Sequence, residues 1–225
     1  MISVLGAVSV ASVAGGAAVS GYWLRHQRDT LGRPKPFPVW TVVLLAALAV
    51  AAAVPGVRRH AQESRLSHVA SILVGHHVSV HCQSFGQALS DVGNELGWVR
   101  FGPNGPEPST LIKRDPCAQL RRYAGGDRDH PSRDEVIAVH VLTHESMHMK
   151  GLLNEAEAEC AAVQRDEVTA RLLGATPDQA RHLARTYWLT TFPDMPPDYR
   201  EDGCVPGGSH DEGLDSAPWA TASSG

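Results

Sequence analysis

Two long apolar stretches near the start of the chain constrain its fold more than any other feature of the sequence. Residues 2–24 carry no charged side chain and are rich in Ala, Val, Gly and Ser, and a second apolar run covers residues 39–57. Each run is about 20 residues long, which is the length that a helix needs to cross a bilayer. We therefore expect two transmembrane helices, with the lipid bilayer as a partner of the chain.

The segment between the two apolar runs indicates how this anchor is oriented. Residues 25–38 contain four Lys or Arg side chains and one Asp. Because basic residues accumulate in loops that stay in the cytoplasm, this loop is predicted to be cytoplasmic and both termini external. The first residues lack the basic start of a signal peptide, which favours a membrane helix over a cleaved leader. Residues 1–59 are thus predicted to be the anchor of a multi-pass cell-membrane protein.

The rest of the chain divides into a folded part and a tail. Residues 60–205 are long enough for one domain, which the predicted topology places outside the cytoplasm. Residues 206–225 are rich in Gly, Ser and Ala with few apolar side chains, and this composition predicts a disordered tail. The formal net charge is −4 and no basic block is present, so no nucleic-acid partner is expected.

The cysteines support the external placement. Cys82, Cys117, Cys160 and Cys204 all lie in the predicted domain, and none forms a C-x-x-C pair. An even number of cysteines in an external domain predicts two disulfides. Three pairings are possible, and we favour Cys82–Cys117 with Cys160–Cys204 because each would join neighbouring elements. Four buried free thiols, in a cytoplasmic domain, would reverse the topology.

Residue patterns in the domain predict an α+β fold, with a short antiparallel sheet followed by helices. Alternating apolar residues at 78–82 indicate a strand, and residues 97–101 and 110–113 indicate two more. Ser132 and Glu135 form a capping box, which predicts a helix from residue 133 to a stop at Gly151. Further helices are expected from 155 to about 173 and from 177 to about 189.

The predicted helix after Ser132 carries His144-Glu145-Ser146-Met147-His148 in its last turns. Helical positions four apart lie on one face, so His144 and His148 can point a ring nitrogen at one metal ion. Glu145 lies about 100° further round, within reach of a water on that metal. Two imidazoles, a third protein ligand and an open water position form a typical catalytic zinc site.

This motif resembles that of the zincin metallopeptidases, and Lys150 departs from the apolar residue that the family usually has there. In its gluzincin branch a second helix carries E-x-x-A-D, and Glu155-Ala-Glu-Ala-Glu159 is similar to it, with Glu in place of the Asp. The resemblance implies a zinc ion held by His144, His148 and Glu155, with Glu159 hydrogen-bonded to a ligand histidine. Because the linker between the helices is short, Glu159 as the third ligand stays open.

The metzincin branch offers a second comparison. Gly151 matches its turn, but Asn154 stands where that branch has a third histidine, and an amide oxygen is a poor zinc ligand. In metzincins a methionine turn underlies the metal and a nearby tyrosine can stabilise the reaction intermediate. Met195 and Tyr199 are similar in order, which makes Tyr199 a candidate for that role.

The predicted function is that of a membrane-anchored, zinc-dependent peptidase with peptide or protein substrates outside the membrane. Glu145 is the expected general base, acting on a zinc-bound water. Such a peptidase could also be latent, with its cleft blocked by its tail or by residues 125–131. The alternative is a non-catalytic cell-surface binding module with a structural or vestigial metal site, closed by a fourth ligand such as His140 or His210.

Overall fold

The computed structural model of this chain describes residues 4–29, 31–89, 91, 93, 95–103 and 105–220. The chain forms two compact units, Met1–Ala61 and Gln62–Gly225, and the boundary lies two residues beyond the predicted end of the anchor. The described residues contain eight α-helices and one three-stranded sheet. The α+β class is therefore confirmed.

The first unit contains helix α1 (Val4–Arg25) and the first part of helix α2 (Val39–Val74). Both helices are long and apolar enough to cross a membrane, as the two apolar runs predicted. The hydroxyl of Ser9 donates to the carbonyl of Ala49 at 3.0 Å. This hydrogen bond satisfies a polar side chain inside an apolar helix pair, where an unpaired hydroxyl would be costly.

The second unit begins with the last part of α2 and holds the remaining elements. In chain order these are β1 (Ser79–Cys82), α3 (Phe85–Ala88), β2 (Gly97–Gly102), β3 (Gly105–Ile112), α4 (Arg114–Gly125), α5 (Arg133–Lys150), α6 (Glu155–Val163), α7 (Asp166–Leu172) and α8 (Pro177–Thr190). Two short 3-10 turns follow, at Phe192–Asp194 and Pro197–Tyr199.

The sheet differs from the prediction because it is mixed rather than antiparallel. Its strand order is β1-β3-β2, with β3 antiparallel to β2 and parallel to β1. A parallel pair requires a long crossover, and the 22 residues from 83 to 104 between β1 and β3 provide it. The sequence patterns identified the strands but contained no information on their order. As a result β2, not β3, lies at an edge of the sheet.

The two disulfides are those that we favoured among the three possible pairings. Cys82–Cys117 joins the end of β1 to α4, and Cys160–Cys204 joins α6 to the chain after the last 3-10 turn. Each closes a loop between neighbouring elements, of 35 and 44 residues respectively. All four thiols are therefore bonded, and the expectation of two disulfides is confirmed.

Helix α5 is the central helix of the second unit. It begins as predicted after Ser132, whose side chain accepts from the Glu135 N–H, and it ends at Gly151 in the left-handed region. Thirteen of its 18 residues are buried, so it is covered on nearly all sides. Its neighbours include the sheet, α4, α6, α7 and α8. Polar side chains in its last turns are thus held inside the core.

The helix that we predicted from residue 155 to about 173 is broken into α6 and α7. The break lies at Gln164 and Arg165, where tertiary hydrogen bonds replace helical ones. The Gln164 side chain donates to the carbonyls of Cys160 and His210, and the backbone carbonyl of Gln164 accepts from Ser216 Oγ at 2.7 Å. Sequence patterns of local residues could not reveal partners 46 and 52 positions away.

The tail also differs from its predicted disorder, since residues 206–220 pack on the second unit. Trp219 contacts the Trp188 ring of α8 at 4.9 Å between ring centroids, and Asp211 accepts from the indole N–H of Trp219. The Glu212 N–H donates to the Gln164 side chain at 2.8 Å. A few specific contacts therefore outweigh the Gly- and Ser-rich composition. Residues 221–225 lie outside the described residues.

Candidate metal centre

Three donor atoms converge where α5 meets the start of α6. His148 Nε2 lies 3.0 Å from His144 Nε2, and Glu155 Oε2 lies 3.1 Å from His144 Nε2 and 3.2 Å from His148 Nε2. The three atoms form a nearly equilateral triangle. In a tetrahedral zinc site with bonds of about 2.0–2.1 Å, neighbouring donor atoms are about 3.3 Å apart. The spacing therefore fits a tetrahedral ion bound to these three atoms.

The chemistry of these donors also fits a transition metal. Two imidazole nitrogens and one carboxylate oxygen are ligands that zinc binds readily, whereas calcium and magnesium prefer oxygen donors alone. Within the described residues the group has these three members and no fourth. Three protein ligands leave one position of a tetrahedral ion open, as in catalytic zinc sites.

The outer nitrogens of both histidines have partners that orient the rings. His148 Nδ1 lies 2.7 Å from the carbonyl oxygen of Leu152. A carbonyl can only accept, so Nδ1 carries the proton and Nε2 keeps its lone pair for a metal. On the other ring, His144 Nδ1 lies 3.0 Å from Glu159 Oε2. Such contacts behind ligand histidines orient the ring and increase its basicity.

The two candidate glutamates of α6 lie on different sides of the His144 ring. Glu155, at the first helical position, contacts the Nε2 side and is half-exposed, with 43% of its side chain accessible. Glu159, one turn later, contacts the Nδ1 side and is 1% exposed. The structure therefore brings Glu155 into the triangle with both histidines, and it brings Glu159 behind one of them.

Behind Glu159 lies a buried polar network that the sequence did not reveal. Glu159 Oε2 accepts from His140 Nε2 at 2.9 Å, and Glu159 Oε1 accepts from the Tyr187 hydroxyl at 2.6 Å. His140 Nδ1 lies 2.8 Å from Asp166 Oδ2, and the His140 ring stacks on Tyr187. From the sequence we expected His140, one turn before His144 on the same helix face, to be a packed or supporting histidine, and a fourth ligand only in a closed site. Asp166 and Tyr187 had no sequence signal, because α7 and α8 meet α5 only through tertiary packing.

The charges at this centre favour a cation. Hydrogen bonds from His144 and then His148 lower the pKa of the Glu155 carboxyl to about 2. Burial lowers the pKa of His144, but hydrogen bonds to Glu155 and Glu159 outweigh it and raise the value to about 9. Around His140, burial is likewise outweighed by the charges of Asp166 and Glu159, which raise its pKa to about 10. The Glu155 carboxylate, with its lowered pKa, stays ionised at neutral pH and stabilises positive charge next to it.

Glu145 lies against the sheet rather than in the triangle. It is 5% exposed, and Thr110 Oγ1 on β3 lies 3.4 Å from Glu145 Oε2. Burial raises the pKa of Glu145, while the nearby His144 and His148 act in the opposite direction. A carboxylate with a raised pKa, next to a metal site but outside its ligand group, suits the transfer of a proton at neutral pH.

Two aromatic residues flank the histidines. The Tyr199 ring lies 5.8 Å from the His144 ring between centroids, and burial followed by the charge of Glu155 raises the pKa of its hydroxyl. Phe101 of β2 approaches the His148 ring edge-on at 5.9 Å between centroids. The structure thus brings Tyr199 to the predicted site. It also adds Phe101, which sequence patterns had identified only as part of a strand.

Comparisons with known proteins identify no relative, since no protein-family profile, curated protein or solved structure matches this chain. The zincin resemblance therefore stays a prediction.

Proposed function

We propose that this chain is a membrane-anchored zinc peptidase that hydrolyses peptide bonds outside the cytoplasmic membrane. One observation carries the proposal: His144, His148 and Glu155 present three donor atoms 3.0–3.2 Å apart, with the buried Glu145 carboxylate beside them. Metal-assisted hydrolysis needs an ion with an open coordination position and a base beside it. A site with three protein ligands, next to a carboxylate that is not a ligand, meets both needs.

In this proposal the zinc ion is held by His144, His148 and Glu155. A bound zinc ion would supply Lewis-acid chemistry, polarising the scissile carbonyl and lowering the pKa of a water to about 7. Glu159 holds the His144 ring in place through the 3.0 Å contact at Nδ1, and the Leu152 carbonyl does the same for His148. Both ligands are therefore oriented before any substrate binds.

Glu145 is the proposed general base. Its carboxylate takes a proton from the attacking water and later delivers it to the nitrogen of the departing amine. Tyr199, whose raised pKa keeps the hydroxyl protonated at neutral pH, is the proposed donor to the developing oxyanion. Its ring position near His144 is what supports this role.

The substrate is proposed to bind as an extended peptide along β2. This strand is at the edge of the sheet, and it runs past the centre from Gly97, next to Glu145, to Phe101, next to His148. Addition of a peptide strand to such an edge provides main-chain hydrogen bonds with little demand on side chains. The substrate class is therefore an unfolded or extended segment of a peptide or protein.

The placement outside the membrane rests on two features of the chain. The loop from residue 25 to 38 holds four basic side chains, which favour the cytoplasmic side. The second unit holds two disulfides, which persist in oxidising environments outside the cytoplasm. Both features support the same orientation of the two apolar helices.

The test is metal content and proteolysis of the full-length chain, purified in detergent micelles. Wild type is expected to retain a stoichiometric zinc ion and to cleave casein. Glu145→Gln should retain the zinc while kcat falls by about 10²–10⁴-fold, because only the base is lost. His148→Ala should lose both metal and activity. Full activity of Glu145→Gln would refute the base assignment.

The alternative function, a binding module with a structural metal site, would need a fourth protein ligand. His140 is bonded to Asp166 and Glu159, and His210 Nε2 lies 3.0 Å from Glu201. Neither belongs to the group that His144 forms with His148 and Glu155, and His140 lies instead in a second, buried group with His144 and Glu159. This observation favours the peptidase. Zinc retention by wild type with no cleavage of casein would favour the binding module instead.

A further inference from the structure

Gly97, the first residue of β2, is in unusually close contact with Glu145. A Cβ placed on Gly97 would lie 2.9 Å from Glu145 Oε1, 3.0 Å from Cγ and 3.1 Å from Cδ. These distances are shorter than van der Waals contact, so no side chain fits between the strand and the Glu145 carboxylate without displacing one of them. Because glycine has only a hydrogen at this position, the Glu145 side chain can lie directly against the strand.

The backbone does not itself require glycine at this position. Gly97 is not among the described glycines with a positive φ, so an alanine could adopt its backbone conformation. The strand also has little freedom to retreat. Gly97 pairs with the fully buried Ile112, and the Lys113 N–H donates to the Leu96 carbonyl at 2.9 Å. An added methyl group would therefore be accommodated by movement of the Glu145 side chain.

We propose that Gly97 is a positioning residue that fixes the Glu145 carboxylate beside the candidate metal centre. The inference rests on the proposed function, in which Glu145 is the general base. Gly97 does not touch the metal ligands or the substrate's reacting atoms in this scheme. It acts through Glu145, by leaving room for the carboxylate between β2 and α5.

The catalytic consequence follows from the sensitivity of proton transfer to distance. A base must lie within hydrogen-bond reach of the proton that it abstracts, and a displacement of about 1 Å can cost about 10²-fold in rate. Relief of the contacts at Gly97 needs a shift of a few tenths of an ångström, so Gly97→Ala is expected to lower kcat by roughly 10-fold. KM and zinc content should stay close to those of wild type, because the main-chain groups of β2 that would pair with substrate and the three ligands are retained.

A stability measurement tests the contact independently of activity. The full-length chain in detergent micelles is unfolded thermally with EDTA present, as wild type, Gly97→Ala, Glu145→Ala and the double variant. Gly97→Ala should lower the Tm in wild type, but not in the Glu145→Ala background, where the clashing atoms are gone. The expected difference between the two backgrounds is about 2–4 °C.

Two other glycines provide controls. Gly102 lies on the same strand, and an added Cβ would meet its nearest atom, the Gly105 carbonyl oxygen, at 3.8 Å. Gly102→Ala should therefore affect the Tm equally in both backgrounds. An added Cβ on Gly125, in α4, would meet nothing within 4 Å. Gly125→Ala should leave kcat unchanged.

Activity measurements complete the test. In the Glu145→Gln background, Gly97→Ala should cause no further loss of kcat, since the group that it displaces is already inactive. An equal Tm effect of Gly97→Ala in both backgrounds would overturn the contact. A coupled Tm effect with an unchanged kcat would overturn the positioning role. Absence of hydrolysis by wild type, with the coupling present, would instead refute the proposed peptidase function and leave the packing of Gly97 on Glu145 established.

Discussion

Two glutamates one helical turn apart on α6 occupy unlike environments because they contact opposite sides of one imidazole. Glu155 is half-exposed and meets the Nε2 atoms of both histidines, whereas Glu159 is buried and meets His144 Nδ1. Glu159 also accepts hydrogen bonds from His140 and Tyr187. The first position suits a ligand, and the second suits a group that orients a ligand.

The first prediction concerns Glu159. Glu159→Gln removes the negative charge behind His144 but keeps the shape of the side chain, so zinc affinity should fall by about 10–100-fold. Glu157→Gln, an exposed neighbour on the same helix, should leave the affinity unchanged. Competition with a chromophoric chelator measures both. If Glu159→Gln binds zinc as tightly as wild type, the contact between Glu159 and His144 Nδ1 does not contribute to zinc affinity.

The role of a residue could be predicted where it depends on neighbours in the sequence. It could not be predicted where it depends on residues far away in the chain. His144, Glu145 and His148 follow from helical spacing, and Ser132 sets the start of that helix by a local capping interaction. The spacing of Glu155 and Glu159 could not decide between them, because the answer depends on how α6 crosses α5. Asp166 and Gly97 reach the centre only through packing of other elements.

Among the elements, α5 and α6 form the centre between them. The two histidines come from α5 and Glu155 comes from α6, and only Gly151 to Asn154 connect the two helices. An ion bound to all three side chains would therefore link two helices. Because such an ion binds the folded chain and not the unfolded one, its free energy of binding adds to the free energy of unfolding.

The second prediction follows from this link. EDTA should lower the Tm of the full-length chain by several degrees, since an ion at 100 times its Kd contributes about 2.7 kcal/mol. Differential scanning fluorimetry with and without EDTA measures the change. The Tm of His148→Ala should not respond to EDTA. Equal wild-type Tm values in both conditions would contradict a metal bound across α5 and α6.

A third prediction concerns the break between α6 and α7. Gln164 is fully buried, and its side chain joins Cys160 to the His210 carbonyl and the Glu212 N–H of the C-terminal segment. Gln164→Ala should lower the free energy of unfolding by about 2 kcal/mol, because buried polar groups lose their partners. Asp215→Ala, an exposed change in the same segment, should have little effect. Chemical denaturation compares the two, and equal stabilities would show that Gln164 does not hold the segment.

Helices could be predicted where their ends are marked by residues close in the sequence. Caps at Ser132, Asn154 and Thr176 marked the starts of three helices. The mixed order of the sheet was not predictable, because strand direction depends on a crossover. The packed tail was missed for a related reason: its anchors, Glu212 and Trp219, are few and act through partners elsewhere in the fold.

At the scale of the whole molecule, two apolar helices and a disulfide-bonded unit belong to one chain. All four cysteines are in disulfides, and all of them lie in the second unit. This arrangement suits a protein whose folded unit meets an oxidising environment while the helices of Met1–Ala61 meet lipid.

The fourth prediction tests that orientation. On intact cells, a maleimide that does not cross membranes should leave wild type unlabelled, because its four cysteines are buried in disulfides. The same reagent should label Asp178→Cys, since that side chain is 96% exposed on the second unit, and a gel shift with a large maleimide measures both. Labelling that requires permeabilised cells would place the second unit in the cytoplasm and reverse the proposed topology.

The Cys82–Cys117 disulfide encloses β2 and β3 together with the turn at Leu89, whose side chain is 75% exposed. If a protease nicks the chain between those cysteines, the two pieces stay covalently tethered. Such a clipped protein would migrate as an intact species on a non-reducing gel and would separate into fragments only after thiol treatment.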